Sequence, residues 1–207
     1  MLHNLKKDER KNVFVLGIPR GGVVVADIIA KKLKTSNFDI VLPRKLLIPD
    51  NQENGFGAVM EDESEYIDFK MVDALSISTE YIRKEKSKKI EEIKSKSLLY
   101  RNSERLQYHT KLNDTNMNVI LVDDGAATGS TLISVARWIR NRNEHKFKQL
   151  IIAIPVAPKR TVNLLKSECD HLEVIISPAK FETVSHFYKE FEQLNDNQVI
   201  EILKKWK

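Results

Sequence analysis

Two adjacent carboxylates, Asp123 and Asp124, come directly after the apolar run VILV at 119–122. The next seven residues, GAATGST at 125–131, contain two glycines and three hydroxyl side chains. Carboxylates accept hydrogen bonds from sugar hydroxyls, while hydroxyls and the free N–H groups of a helix N-terminus donate to a phosphate. Helix capping explains one or two such residues, but not two acids, two glycines and three hydroxyls within nine positions. The segment therefore predicts a site for a ribose 5-phosphate.

A second turn of similar character, GIPRGG at 17–22, follows the apolar run at 13–16 and precedes residues with helical spacing. Backbone N–H groups at such a turn form a nest that binds an anion. Arg20 adds a guanidinium that can hold an oxyanion through two hydrogen bonds. Because proline and glycine are also common in ordinary strand-to-helix turns, this turn indicates an anion site only in combination with the acidic segment.

Short apolar strands alternate with amphipathic helices along the rest of the chain. Strands are predicted at 13–16, 39–42, 58–60, 119–122, 150–154 and 174–176, and helices at 24–33, 132–139, 158–167 and 197–206. This alternation is typical of α/β proteins in which helices cover both faces of a mostly parallel sheet. In such sheets ligands bind beyond the carboxyl ends of the strands, where Asp123 and Asp124 are expected. We expect one domain that spans residues 1–207.

Residues 68–107 have a helical pattern and are heavily charged. Three acid–base pairs have the favourable i,i+4 order: Glu80/Lys84, Glu85/Lys89 and Glu92/Lys96. We predict one or two helices that lie over the main sheet. The basic run at 83–89 is compatible with a nucleic-acid patch, but a solvated helix face with ion pairs explains it better, so nucleic-acid binding is not expected.

The overall composition is that of an ordinary globular protein, with 42% hydrophobic residues and a formal net charge of +5. A mild basic excess suits a phosphate-rich ligand and a nucleic acid equally well. Cys169 is the only cysteine, which excludes an intrachain disulfide and makes a reducing compartment and the absence of a zinc site the expectations. The polar N-terminus lacks a signal-peptide pattern, and the sequence contains no apolar run of about 18 residues. We therefore expect a cytoplasmic protein without membrane segments.

The acidic segment resembles the signature with which type I phosphoribosyltransferases bind 5-phosphoribosyl-1-pyrophosphate (PRPP): four apolar residues, two acids, a loop of small residues and Thr-Gly-x-Thr. Further features resemble a branch of that family labelled "predicted phosphoribosyltransferase": RKL at 44–46, GAV at 57–59, IPVAP at 154–158 and the aromatic segment 187–191. The resemblance covers nearly the whole chain. It implies a Rossmann-like α/β fold, with a central, mostly parallel sheet flanked by helices, a helical insertion at about 68–107 and a small C-terminal hood.

By this resemblance, the chain would transfer the 5-phosphoribosyl group of PRPP to a nitrogen acceptor of the nucleobase type and release pyrophosphate. Mg²⁺ would be bound mainly through the oxygens of PRPP, since this ion retains water and phosphate ligands. The expected partners are PRPP and a small nitrogenous acceptor. Because members of the family are often dimers, a homodimer is also an expectation.

The resemblance also assigns roles to individual residues. The acids would hold the ribose hydroxyls, the loop at 126–131 the 5-phosphate, and the turn at 17–22 the pyrophosphate. The polar segment 43–57 would be a mobile loop that closes over the site, although a solvent-exposed hairpin explains it almost as well. The expected catalytic residues are Asp123, Asp124, Arg20, Arg44 and Lys45. The expected substrate-binding residues are Pro19, Arg20, Gly21, Gly22, Ala126, Ala127, Thr128, Gly129, Ser130, Thr131 and Tyr188.

The acceptor is the least defined part of this prediction. Aromatic residues between Phe181 and Phe191 would form a hood that stacks on a planar base, but packing beneath the closing helix explains them equally well. Hypoxanthine-guanine members of the family carry an aspartate where this chain has Ala127, as adenine-type members do. The carboxylate expected for a 6-oxopurine is therefore missing.

A regulator that senses PRPP or a nucleotide without catalysis is the alternative prediction. In that case the basic helix at 83–96 would contact nucleic acid. Arg20, Arg44 and Lys45 favour catalysis, because a sensor does not need a closing lid.

Overall fold

Five parallel strands form the central sheet of the computed structural model, which describes residues 12–51, 55–101, 112–141 and 146–206. The strands are Val13–Gly17 (β1), Phe38–Ile40 (β2), Asn118–Val122 (β6), Gln149–Val156 (β7) and His171–Ile176 (β8). Their order across the sheet is β2-β1-β6-β7-β8. All residues of β1 and β6 are buried, which explains why their sequences are continuous apolar runs. The predicted α/β fold class is confirmed.

Six α-helices accompany the strands in the described part of the chain. They are Gly21–Leu33 (α1), Phe69–Ala74 (α2), Thr79–Arg101 (α3), Ser130–Asn141 (α4), Lys159–Leu165 (α5) and Asp196–Lys204 (α6). A short 3₁₀ helix, Val184–Phe187, lies in the aromatic segment near the C-terminus. None of the helices in the described ranges is long and apolar enough to cross a membrane.

The two faces of the central sheet are covered by different helices. Residues of α1 pack with Val13 and Val15 on one face, while residues of α4 and α5 pack with Phe14 and Leu16 on the other. The predicted apolar face of α4 is buried in full, namely Leu132, Val135, Ala136 and Ile139. This alternation of neighbouring strand residues between two cores is what a doubly covered sheet requires.

Helix α1 is present as predicted, but its most deeply buried residues are mostly small ones rather than its largest apolar residues. The residues against the sheet include Val23, Ala26 and Ala30, whereas Ile28 is 53% exposed. A Cβ added at Gly17 of β1 would lie 3.0 Å from the Ala26 Cβ. Small residues therefore face the sheet because the helix approaches it closely.

The segment 43–57 contains two paired strands, so the loop prediction was wrong and the alternative of a hairpin is confirmed, although Leu46 and Phe56 of this hairpin are buried rather than exposed to solvent. Arg44–Leu47 (β3) and Gly55–Val59 (β4) pair in antiparallel fashion, and Glu65–Ile67 (β5) completes a second, three-stranded sheet. Residues 52–54 lie outside the described ranges. The pairing is stabilised because Leu46 and Phe56 are buried in a core beneath it.

The helical insertion is confirmed at α2 and α3, while residues 102–107 of the predicted range lie outside the described residues. Its position was predicted wrongly, because Ile93 and Tyr100 of α3 pack into the core of the small sheet rather than onto the central sheet. Of the predicted ion pairs, Glu85–Lys89 forms at 3.8 Å. Lys89 also pairs with Glu92 at 2.9 Å.

A buried ionic cluster joins the end of α3 to the central sheet. The Arg101 side chain is 4% exposed and donates to the carboxylates of Asp39 and Glu61 and to the Ile40 carbonyl oxygen. The Glu61 side chain is 1% exposed and also accepts from the Leu42 N–H at 3.1 Å. Burial raises the pKa of Asp39, and Arg101 opposes this rise. The cluster thereby fixes the chain between β2 and β3.

We expect Arg101→Met to lower the free energy of unfolding by about 3–5 kcal/mol, because it leaves two carboxylates buried without their cation. Lys94→Met is the matched control, since Lys94 pairs with Glu63 at 3.0 Å with both side chains about half exposed. The control should cost less than about 1 kcal/mol. Urea unfolding at neutral pH measures both, and equal small losses would contradict the role given to Arg101.

Candidate active site

The two motifs singled out in the sequence begin side by side at the carboxyl ends of β1 and β6. These strands pair in parallel with Gly17 opposite Val122, and the Ile18 N–H donates to the Val122 carbonyl oxygen at 2.9 Å. The peptide bond between Pro19 and Arg20 is cis, and α1 begins at the next residue. The turn at 17–22 and the acidic loop therefore leave the sheet at the same place.

Two glycines allow the start of α1 to lie against the acidic pair. A Cβ added at Gly22 would lie 2.8 Å from the Asp123 Cα, and one added at Gly21 would lie 1.7 Å from a carboxylate oxygen of Asp124. Both distances are below the 3.0 Å that real Cβ atoms keep from other heavy atoms. Gly22 was predicted to bind substrate, but it is buried behind Asp123 and serves this close packing.

The loop between β6 and α4 is fixed by its neighbours. The Ala126 N–H donates to the Val156 carbonyl oxygen at 2.9 Å, and the Thr161 hydroxyl donates to the Ala127 carbonyl oxygen at 2.6 Å. Gly129 has φ +76°, and a Cβ there would lie 2.9 Å from the Thr161 Cγ2. Because its N–H is already bonded within the fold, Ala126 does not fit its predicted role as an amide donor to phosphate.

Three adjoining cavities follow the carboxyl ends of the central strands. The first, of about 130 Å³, is formed by residues 125–132 together with Lys45 and Asp123. The second, of about 380 Å³, shares Lys45, Asp123 and Thr131 with the first. Its further lining residues are Ile18, Pro19, Arg20, Gly21, Pro43, Arg44, Ala58 and Asp124. All five residues predicted to be catalytic therefore lie around one space.

The third cavity, of about 510 Å³, lies between α1 and the chain segment 188–194. It shares Arg20, Gly21 and Asp124 with the second cavity. Its walls include Val24 and Val25 of α1, which are both partly buried. Sequence reasoning missed this use of Val24 and Val25.

The acidic pair is electrostatically destabilised in the folded protein. Burial raises the pKa of Asp123 well above its ordinary value, the Asp124 carboxylate raises it further, and Lys45 opposes the rise. Burial likewise raises the pKa of Asp124. The pair therefore holds a proton to a higher pH than ordinary aspartates do, and a positive charge in the second cavity would favour its ionised form.

Tyr188 connects the aromatic segment to this pair. Its hydroxyl donates to the Asp124 carbonyl oxygen at 2.5 Å. Burial and the two carboxylates raise its pKa to about 12. Phe191 packs edge-on against Tyr188 at 5.1 Å between ring centroids, and both line the third cavity, whereas Phe181 and Phe187 stack on each other at 5.6 Å. The predicted hood is thus divided into a cavity-lining half and a self-packed half.

Helix α3 contacts one of the two basic residues at the start of the small sheet, Arg44. Arg44 and Lys45 begin β3, and both line the second cavity. The Arg44 Nε lies 3.5 Å from a carboxylate oxygen of Glu92, and its Nη1 donates to the Pro43 carbonyl oxygen at 3.1 Å. Glu92 was predicted to pair with Lys96 on its own helix, so this contact was missed.

A cluster of side chains between α3 and α6 lies close to Arg20 and Arg44. The Lys96 Nζ is 2.5 Å from one carboxylate oxygen of Asp196, and the Tyr100 hydroxyl donates to the other at 2.6 Å. Burial and Asp196 raise the pKa of Tyr100, while the charges of Arg20 and Arg44 lower it. No local pattern in the sequence indicates this cluster, because its partners are separated by 96 and 100 positions.

Few side chains of the site could bind a metal ion directly. Among the described residues, no group of three or more His, Cys, Asp and Glu side chains is arranged to hold one. Asp123 and Asp124 supply two carboxylates at the edge of the second cavity. This set suits an ion such as Mg²⁺ that keeps most of its ligands from water and a bound phosphate.

A family model described as "Phosphoribosyl transferase domain" matches residues 1–185. Proteins from Mycobacterium tuberculosis strains CDC 1551 and H37Rv, both named "Putative phosphoribosyl transferase", are 29% identical to this chain over 193 residues. The match covers 93% of this chain but 42% of each relative, so the chain spans less than half of their length. The crystal structure of TT1426 from Thermus thermophilus is 30% identical, covers 95% of this chain and 88% of that one, and has a TM-score of 0.75.

We expect Asp123→Asn to stabilise the ligand-free protein at neutral pH by about 1 kcal/mol, because it removes a carboxylate whose pKa is raised on folding. Because the pKa of Asp123 is higher in the folded than in the unfolded state, the wild type loses stability as the pH rises from the unfolded-state pKa through the folded-state pKa. The stability gain of Asp123→Asn relative to the wild type, measured by urea unfolding, should therefore be small near pH 4 and grow towards pH 8.

Asp170→Asn is a control of opposite sign. Burial alone would raise the pKa of Asp170. Hydrogen bonds from the Leu150 N–H and from Arg140 outweigh burial and hold this pKa below its ordinary value. This variant should be less stable than the wild type at neutral pH, and the difference should fade as the pH falls. A loss of stability for Asp123→Asn at pH 8 would contradict the electrostatic account of the acidic pair.

Proposed function

Because the chain belongs to the phosphoribosyl transferase domain family, we propose that it transfers the 5-phosphoribosyl group of PRPP to a nitrogen acceptor. Pyrophosphate is the second product. The observation that carries this proposal is the set of three adjoining cavities. The acidic pair and three basic side chains surround the second cavity, and the glycine-rich loop surrounds the first.

The first cavity suits the 5-phosphate. It is enclosed by the loop and the N-terminal turn of α4, where free N–H groups and the positive end of the helix dipole favour an anion. The hydroxyls of Thr128 and Ser130 lie 3.1 Å apart at its edge and can donate to phosphate oxygens. Lys45 supplies a positive charge to the same space.

The second cavity suits the ribose and the leaving pyrophosphate. Asp123 and Asp124 would accept hydrogen bonds from the two ring hydroxyls. Arg20 and Arg44 would bind the pyrophosphate oxygens, since guanidinium groups hold phosphates through paired hydrogen bonds. Mg²⁺ bound to the PRPP oxygens would neutralise part of the leaving group's charge.

In the proposed reaction, the bond from C1 of the ribose to the pyrophosphate oxygen breaks and a bond from C1 to the acceptor nitrogen forms. Positive charge develops on the ribose before the new bond is complete. The acidic pair would stabilise this charge, because preorganised groups of opposite sign act strongly where water is largely excluded. The acceptor nitrogen then loses its proton to solvent water, which restores its neutrality.

We expect the full chain to release pyrophosphate from PRPP and Mg²⁺ in the presence of one member of a panel of purines, pyrimidines and other nitrogen acceptors. The Asp123→Asn, Asp124→Asn double variant should remain folded and lose this activity by at least about a hundredfold. Saturable PRPP binding without release under any acceptor would favour a PRPP sensor over a transferase.

We also expect Arg20→Ala to weaken PRPP and pyrophosphate binding by about tenfold to a hundredfold, because it removes charge-assisted hydrogen bonds. A nucleoside monophosphate, which lacks the pyrophosphate, should lose less affinity. Arg160→Ala is the control, since Arg160 is exposed at the start of α5 and lines none of the three cavities. Equal losses for pyrophosphate and the monophosphate would show that Arg20 does not face the leaving group.

A further inference from the structure

We infer that the third cavity selects acceptors that are flat nitrogen heterocycles with N–H donors and no carboxylate. This inference rests on the proposed phosphoribosyl transfer and adds a substrate class to it. It is carried by the position of the cavity, by its apolar walls and by the charges at its rim.

The position of the cavity makes it the space from which an acceptor can reach the ribose. Arg20, Gly21 and Asp124 are common to the second and third cavities, so the two cavities adjoin at these residues. A ligand in the third cavity would therefore lie directly beside the proposed ribose site. Its volume of about 510 Å³ lies within the range of pockets for small molecules.

The walls of the cavity suit a flat apolar ring. Val24 and Val25 of α1 form one side, and Phe191 and Leu194 lie on the other. Phe191 remains 40% exposed although it packs edge-on against Tyr188. A planar heterocycle that covers these groups would remove apolar surface from water, which favours binding.

The rim of the cavity selects by charge. Glu190 and Glu192 line it, and Arg20 is the only basic side chain among the residues that do so. In the proposed complex the charge of Arg20 is used by pyrophosphate. The nitrogen substrate in the third cavity therefore faces carboxylate oxygens and negative charge. Amino and ring N–H groups can donate to these carboxylates, whereas a carboxylated ring would be repelled.

Matched probes test this inference. Nicotinamide and nicotinate differ only in carboxamide against carboxylate, and cytosine and orotate share a pyrimidine ring. Equilibrium dialysis of each against the full chain, with pyrophosphate and Mg²⁺ present, should show nicotinamide and cytosine binding at least about tenfold more tightly than their carboxylated counterparts.

Three variants locate the selectivity. Glu190→Gln with Glu192→Gln should reduce the preference for the uncharged probes by about tenfold, while Glu182→Gln, on the same segment but outside the cavity, should leave it unchanged. Val24→Trp should fill the cavity and abolish binding of all four probes without changing the affinity for pyrophosphate.

The failures of the two proposals can be told apart. Equal or tighter binding of nicotinate and orotate, with pyrophosphate binding intact, would overturn the acceptor class and leave phosphoribosyl transfer standing. Unchanged selectivity in the double glutamine variant would do the same. Failure of the wild type to bind either PRPP or pyrophosphate would overturn the proposed function itself.

Discussion

The arrangement of the site depends on the close contact of the start of α1 with the Asp123 backbone and the Asp124 side chain. β1 and β6 pair in parallel and end at the same level, so their loops emerge together. The space for the acidic pair exists only because residues 21 and 22 have no side chain. The N-terminal turn of α1 and two carboxylates therefore border one cavity, which combines hydrogen-bond donors and acceptors in a small volume.

This arrangement destabilises the ligand-free fold. Adjacent carboxylates are held partly out of water, and the raised pKa of Asp123 expresses the resulting preference for its protonated form. The same preference makes the pair responsive to a ligand that supplies hydroxyl donors and positive charge. Lys45 on β3 already supplies part of that charge, which gives the small sheet an electrostatic role as well as a packing role.

The sequence predicts the parts of the fold whose structure is determined locally. β1, β6 and their loops were predictable because buried parallel strands are continuous apolar runs and because close backbone approach requires glycine. The small sheet was predicted only in part. A strand was expected at 58–60 and a hairpin was an alternative for 43–57, but the polar start of β3 gives no strand signal of its own and β3 is defined by its pairing with β4. The most deeply buried residues of α1 are not the largest ones in its sequence, because close packing against the sheet selects Ala26 and Ala30.

The outer boundaries of the site come from the least predictable parts of the chain. Tyr188 bonds to the backbone of Asp124, and Asp196 joins α6 to Lys96 and Tyr100 of α3. These contacts cross long stretches of sequence and involve side chains on exposed or irregular segments. In the proposed function, the central sheet would fix where ribose and phosphate bind, while the insertion and the C-terminal segment would bound the space for an acceptor. Substitutions at 190–194 would then change the acceptor without disturbing the acidic pair, because these residues line the third cavity and neither of the other two.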